Sequence, residues 1–378
     1  MTDELAGRVL DALRERPSGV YLNSAAEGLF LRSHASAIER YAEAKSRGSR
    51  GRAALGEIEE RARGLFAGLL GAAAGDIAFV ASTSRGLDAA IKSIEWDPGD
   101  SIVLGDAEFP SAFFSAALLQ REGVTTTLVP YRDGAVHESD IAAAIDDSTR
   151  LVVVSLVSYK TGQRMDIGAI AAAAHAHGAL VFVDAVQAVG AVTVAPDGAD
   201  FLCAATFKWM LGAHGLAALY VAPRVAQHSR PPYAGYRSVS ELFPPDVRHF
   251  ELYEDARRYE EGMPNLLGIS VLESALTHMN EIGIAEIEHH NQALVGRLRD
   301  GLHHLSVPVL CPDDVTTRGS IVSFESARET EIASYLDSLD TTVWARDGRV
   351  RLAPHAYNTQ ADIDTALEQL AAFPGGLS

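Results

Sequence analysis

Amines are scarce in this sequence: its lysines are Lys45, Lys92, Lys160 and Lys208, within a total of 32 Lys plus Arg. Lys208 sits in Thr206-Phe207-Lys208-Trp209-Met210-Leu211-Gly212, directly after the apolar run Phe201-Leu202-Cys203-Ala204-Ala205. An amine held against aromatic and apolar neighbours loses hydration. That favours its neutral, nucleophilic form and readies it for a Schiff base with an aldehyde. Taken alone, the position is better described as a lysine that snorkels from a strand end into water. Other residues raise the chemical reading. Asp184 closes the apolar run Leu180-Val181-Phe182-Val183 and precedes Ala185-Val186-Gln187. A buried carboxylate there needs a cation, such as a protonated pyridine nitrogen, unless it only caps a helix. Thr83 and Ser84, in Ser82-Thr83-Ser84-Arg85-Gly86, read as a phosphate site at a helix start, or as ordinary caps. Phe109, in Glu108-Phe109-Pro110-Ser111, is an aromatic that stacks on a flat ring or simply fills core. Arg351 presents a planar fork suited to a carboxylate, or makes a surface ion pair.

These residues must be positioned by regular elements. Short apolar runs at 77–81, 101–104, 125–129, 151–157, 180–184, 201–204 and 216–221 read as strands. Helices fit at 87–94, 111–120 and 167–177. Continuous Val/Ile/Leu strands with helical crossovers indicate an α/β fold with a mainly parallel central sheet covered by helices. The candidate residues fall just after strands, at the carboxyl ends where open parallel sheets bind ligands. Beyond Pro231-Pro232 the pattern becomes a helical region at 266–304, strands at 319–324 and 349–352, and helices at 330–339 and 359–372. The expected division is a large domain over 20–256, a smaller C-terminal α+β domain over 257–378, and an N-terminal helix within 1–19 packing near the small domain. Residues 231–258 and those around Tyr159 are expected to line a substrate pocket.

A net charge of −18 argues against nucleic acid or an anionic membrane as partner. No signal-like start or bilayer-length apolar run is present, so a cytoplasmic protein is expected. Cys203 and Cys311 are too few for a disulfide framework, and the paired histidines (175 with 177, 289 with 290, 303 with 304) lack ligand spacing, so no metal is expected.

Together and in this order the motifs resemble the class V aminotransferases of the fold-type-I pyridoxal-phosphate enzymes, a group with cysteine desulfurases, isopenicillin N epimerase and kynureninase. The resemblance runs from Tyr21-Leu22-Asn23-Ser24-Ala25-Ala26 to Tyr357-Asn358-Thr359. It is strongest at Asp184-Ala185-Val186-Gln187-Ala188-Val189-Gly190 and at Lys208-Trp209 with Gly212. It implies pyridoxal 5'-phosphate as cofactor. Lys208 would carry it and shuttle protons, Asp184 would pair with its ring nitrogen, and Gln187 would bond its ring oxygen. Thr83 and Ser84 would hold the phosphate, and Phe109 and Val186 would cover the two ring faces. Arg351 would clamp the substrate α-carboxylate, with Asn23 helping to orient it. A homodimer with active sites at the interface is implied too.

Four departures shape the functional expectation. Ala205-Thr206-Phe207-Lys208 replaces the common Ser-Gly-His-Lys, and Thr206-Phe207 is closer to the kynureninase arrangement. The phosphate contact made there must fall to Thr206 or be lost. Tyr159 stands where desulfurases carry Asn near the substrate. Met263 replaces the Thr of Gly-Thr-Pro-Asn. The interval 342–349 before Arg351 has no cysteine, where desulfurases carry their nucleophile. The expectation is an aminotransferase-like or lyase enzyme acting on a small α-amino acid through an external aldimine, without persulfide chemistry. The alternatives are a kynureninase-like hydrolase or C–S lyase, and a cofactor-free structural or regulatory relative.

Overall fold

The computed structural model describes residues 2–377 apart from Asp133 and Val247. The apolar runs form a seven-stranded sheet. In spatial order its strands are Ile77–Val80, Ala217–Val221, Phe201–Ala205, Leu180–Asp184, Thr149–Ser155, Ser101–Gly105 and Thr125–Val129. Ala217–Val221 runs antiparallel to both neighbours and every other pairing is parallel. Six strands therefore end on one side, which brings Ser82, Glu108, Tyr159, Asp184 and Lys208 to a common edge. The central strands are buried along nearly their whole length because helices cover both faces, which is why they read as unbroken apolar runs.

The helix Thr83–Lys92 starts where Ser82 accepts the N–H of Arg85 at 3.2 Å. Gly86 lets this helix lie directly on the sheet: a Cβ there would come 2.6 Å from the Cys203 sulfur. Helices Arg32–Ser46 and Arg52–Leu70, which sequence reading did not delineate, pack with Leu266–Ile282. The helical region 266–304 is two helices, broken at Gly283, whose φ of 92° suits glycine.

A second apolar core gathers the three-stranded antiparallel sheet Trp344–Arg346, Arg349–Leu352 and Val322–Glu325 with helices Ile284–His304, Glu329–Asp337 and Gln360–Ala371. Val20 and Leu22 join that core. Val20–Tyr21 pairs in parallel with Thr341–Thr342, and the chain then hands Asn23 to a bridge with Ala353. Buried residues of Leu266–Ile282 belong to the large core, as do Leu5, Val9 and Leu13 around the N-terminal helix Thr2–Ala12. Among the described residues no helix is long and apolar enough to cross a membrane.

Contrary to expectation, none of the described residues of 231–258 lines the cavity among the candidate residues. Their attachment is a buried charge cluster. Arg63, 1% exposed, donates to Ile77 O at 2.6 Å, Glu260 at 2.7 Å and Glu59 at 3.0 Å. Glu260 also accepts the Phe79 N–H at 3.0 Å, and Arg237 closes the cluster on both glutamates. Each buried charge is compensated, so the cluster is tolerated, and loss of one partner strands the others. Glu260→Ala should lower unfolding free energy by about 3–5 kcal/mol in a denaturant titration, whereas a change within 0.5 kcal/mol, the usual range for a surface site, would show that the cluster is dispensable.

Candidate active site

A cavity opens at the carboxyl ends of the strands, lined by Ser82, Thr83, Ser84, Glu108, Phe109, Ser111, Ser155, Tyr159, Asp184, Val186, Gln187, Phe207 and Lys208 among others. Lys208 reaches it from a tight loop after Phe201–Ala205. Gly212 N–H bonds Thr206 O at 2.8 Å, Leu211 N–H bonds Lys208 O at 3.0 Å, and buried Leu211 takes a φ of 55°. A non-glycine residue in that region is strained and persists only where packing enforces it. Gly28 and Gly190 enforce it from behind. A Cβ on Gly28 would meet Lys208 O at 2.1 Å, and one on Gly190 would meet Trp209 O at 2.6 Å. The Lys208 amine lies 5.8 Å from the Phe109 ring centre and 5.7 Å from that of Phe207. Burial, aided by the Arg351 charge, brings its pKa down to about 8, against the opposing pull of Asp184 and Glu27.

Asp184 is half-buried at the cavity floor, and desolvation pushes its pKa up against the N–H of Val186, which bonds its Oδ1 at 2.9 Å. Gln187 is locked: its Nε2 donates to Ala25 O at 3.0 Å and its Oε1 accepts from Trp209 Nε1 at 2.7 Å. Trp209 O in turn accepts from His355 Nε2 at 2.9 Å, while burial holds the His355 pKa down to about 4. His355 is thus neutral at pH 7, and its Nδ1 accepts the Ala356 N–H. Tyr357, tilted against His355, bonds Ser24 at 2.6 Å. This chain ties the Lys208 loop to the segment His355–Tyr357 and to Ser24 through side chains that do not themselves face the cavity, Gln187 excepted.

The other predicted residues fall into two groups. Thr83 and Ser84 open the helix Thr83–Lys92, whose start lines the cavity, and Ser84 Oγ bonds Ser111 Oγ at 3.1 Å. The Thr83 hydroxyl is buried without an oxygen or nitrogen partner among the described residues, beside the Cys203 thiol. Phe109 and Val186 both line the cavity, and Phe109 meets Tyr159 edge-on at 5.4 Å. Arg351 is 4% exposed and does not itself line the cavity, but its Nη1 donates to Tyr159 O at 3.1 Å and its guanidinium lies 4.7 Å from the Trp344 ring. No carboxylate pairs with it among the described residues, and its Nε has no partner there. Burial brings its pKa down to about 10. Asn23 sits beside Ala353, one step from Arg351's strand, with its Oδ1 buried and unpartnered. Thr206 is the exception. It is fully buried, and its hydroxyl is spent on Ala213 O at 2.8 Å and Leu216 O at 3.2 Å. It braces the lysine loop and does not reach the cavity.

Glu108 was visible only as part of a motif. It is a buried carboxyl on the cavity wall that accepts both the N–H (2.9 Å) and the hydroxyl of Ser155. Burial raises its pKa to about 7, with Asp184 adding to the effect. Among the described residues no group of three or more His, Cys, Asp or Glu side chains could hold a metal ion.

Residues 20–365 match the family described as aminotransferase class-V. The chain belongs to that family. It is 30% identical to an uncharacterized aminotransferase, YcbU, of Bacillus subtilis over 84% of each chain. It is 28% identical to a probable cysteine desulfurase of Methanothermobacter thermautotrophicus, also over 84% of each. Its fold superposes on a cysteine desulfurase of Thermococcus onnurineus with a TM-score of 0.83 at 26% identity, covering 93% of both chains. The chain is therefore a pyridoxal-phosphate-dependent enzyme with transferase or lyase chemistry, of a family that binds small amino-acid substrates. The cavity fits that cofactor. It offers a desolvated amine, an aromatic wall, a buried carboxylate without a paired side-chain cation, and a helix start with an orphaned hydroxyl.

An amine with a lowered pKa attacks an aldehyde only when neutral. The rate at which cofactor-free enzyme takes up pyridoxal phosphate should therefore rise with pH through a midpoint of about 8. Removing the repelling cation in Arg351→Gln should move the midpoint up, towards the ordinary lysine value. A rate flat between pH 7 and 9 would contradict the Lys208 environment.

Proposed function

We propose that this chain is an aminotransferase-like or lyase enzyme for a small α-amino acid, with Lys208 as the residue that carries pyridoxal phosphate. When bound, the cofactor supplies an electron sink that stabilises negative charge at the substrate Cα. The protein supplies everything that orients that charge. Asp184 would pair with the ring nitrogen, whose positive charge would compensate its desolvation and keep it ionised. Gln187 has two N–H groups; Ala25 takes one, and the other can donate to the ring oxygen. Thr83, Ser84 and the helix N–H groups hold the phosphate, without help from Thr206. Phe109 and Val186, both on the cavity wall, would cover the ring. Arg351 and Asn23 take the substrate α-carboxylate, which fixes the remaining bonds at Cα relative to the ring. With its pKa brought down to about 8, Lys208 would keep a fraction of neutral amine near physiological pH, and as a free amine it could accept and return the Cα proton.

The observation that carries this reading is Arg351. A buried guanidinium without a carboxylate partner, next to an activated lysine, is completed by an anionic ligand.

Chemistry that parks sulfur on the protein finds no acceptor. Cys203 is fully buried under the helix Thr83–Lys92, and Cys311 lies in the second core. The interval before Arg351 is a two-residue hairpin turn, Asp347-Gly348, with φ of 56° and 72°. A turn this short leaves no mobile loop to deliver a thiol. The same lack of a thiol supports a second reading, a kynureninase-like hydrolase or C–S lyase that releases its product directly.

A homodimer is part of the proposal. Exposed Ile38 and Leu267 lie on helices that pack together, and Met263 just before Leu267 is 52% exposed. Light scattering should give twice the 40.3 kDa chain mass; a monomer would remove this part.

Lys208→Ala should fold yet lose the visible absorbance of lysine-bound cofactor, and persistence of that absorbance would move the assignment to Lys160. With amino acids as substrates, turnover that requires an added keto acid supports transfer, and turnover without one supports the lyase reading. After incubation with cysteine, intact-mass analysis should find no persulfide on Cys203 or Cys311. A persulfide on either would overturn the exclusion of protein-bound sulfur.

A further inference from the structure

Arg351 is not the only cation at this edge of the site. Arg349 and Arg351 are two residues apart on the strand Arg349–Leu352, so their side chains leave the same face of the sheet. That face looks towards the cavity wall, because Arg351 reaches Tyr159 O at 3.1 Å. Arg349 is half-buried and close enough for its charge to act on Arg351, Tyr159, Tyr131 and Lys160. Lys160 follows Tyr159 directly, with its amine 6.0 Å from the Tyr159 ring centre and 3.3 Å from the backbone oxygen of Asp106. Two guanidinium groups and an ammonium thus converge on the Tyr159 loop.

Their partners are missing. Glu325 is the cross-strand neighbour of Arg349, and Asp347 and Asp106 act on the same groups from a distance. Even so, among the described residues no carboxylate makes an ion pair with Arg349, Arg351 or Lys160. Arg349 Nε, Arg351 Nε and the Tyr131 hydroxyl are all buried without a hydrogen-bond partner there. In a chain of net charge −18, such a cluster is not background. Like charges gathered in a half-buried place repel one another, and orphaned donors cost desolvation energy. One substrate carboxylate would satisfy Arg351 and leave the rest.

We propose that Arg349 and Lys160 form a second anion subsite beside Arg351, so that the preferred amino acid, or its keto-acid counterpart, carries a carboxylate on its side chain. This rests on the reading of Arg351 as the α-carboxylate clamp. The two carboxylates would be read by two arginines on one strand face, with Trp344 holding the Arg351 guanidinium in place at 4.7 Å. Neutral side chains would leave the second subsite unsatisfied, which is a source of selectivity against them.

The test uses the holoenzyme and anions without an amine, so that binding is read without turnover. Succinate and butyrate have the same carbon count and differ by one carboxylate. Thermal stabilisation should reach half its maximum at a succinate concentration at least about tenfold below that for butyrate, the effect of a charge-assisted hydrogen bond. Arg349→Gln should bring the ratio towards one, and Arg349→Lys should keep part of it. Each shift is measured against the variant's own melting temperature, so a weakened fold does not obscure it. Equal binding of the two anions by the unaltered enzyme, or a ratio unchanged in Arg349→Gln, would overturn the second subsite. Arg351→Gln reports separately on the clamp. Weaker binding of both anions is expected, and unchanged binding of both would remove the clamp while the Arg349 comparison still decides the subsite.

Discussion

Burial of one amine organises this site. Lys208 is taken out of water at the end of a central strand, with a carboxylate on one side and a guanidinium on the other. Desolvation and Arg351 push it towards neutrality, while Asp184 and Glu27 pull it back. The resulting amine is reactive near neutral pH without being lost as a proton acceptor. Such an arrangement costs stability, since Arg351 is buried and Asp184 and Lys208 are half-buried. Asp184 and Lys208 are fixed at the strand ends of the large sheet and Arg351 on a strand of the smaller one, all elements that are rigid for other reasons.

The second core matters for the same reason. Arg351 comes from a strand of the smaller sheet, and Asn23 comes from a segment stitched to that strand through Ala353. Gln187, Trp209, His355, Tyr357 and Ser24 then bind the lysine loop to the returning C-terminal chain. Neutral His355 is a fixed donor in this chain, not a titrating group at physiological pH. Arg351 and the Lys208 amine are therefore held in one frame whose parts lie far apart in the sequence.

Much of this was legible in the sequence. The strands of the large sheet were readable because burial on both faces turns them into continuous apolar runs. Asp184 and Lys208 could be placed because each follows such a run. The antiparallel direction of Ala217–Val221 was not readable, since an apolar run carries no sign of its direction. Thr206 was given the phosphate contact from its place in the family motif, with loss of that contact as the alternative; only the folded loop reveals two backbone carbonyls competing for its hydroxyl. Glu108 was passed over as a carboxylate beside a phenylalanine, and its importance comes from Ser155, a strand away. Residues 231–258 were expected at the pocket, but none of those described lines it, and Arg237 is turned to Glu59 and Glu260 instead. The turn at Asp347-Gly348 was a missed local signal, since that pair favours a two-residue hairpin.

The central claim is that Lys208, and no other lysine, bears the cofactor. Borohydride reduction of the holoenzyme, followed by proteolysis and mass spectrometry, tests it directly by fixing the cofactor to its amine. The modification is predicted on the peptide containing Phe207-Lys208-Trp209, at one per chain. A reduced adduct on Lys160, Lys92 or Lys45, or none at all, would contradict the account.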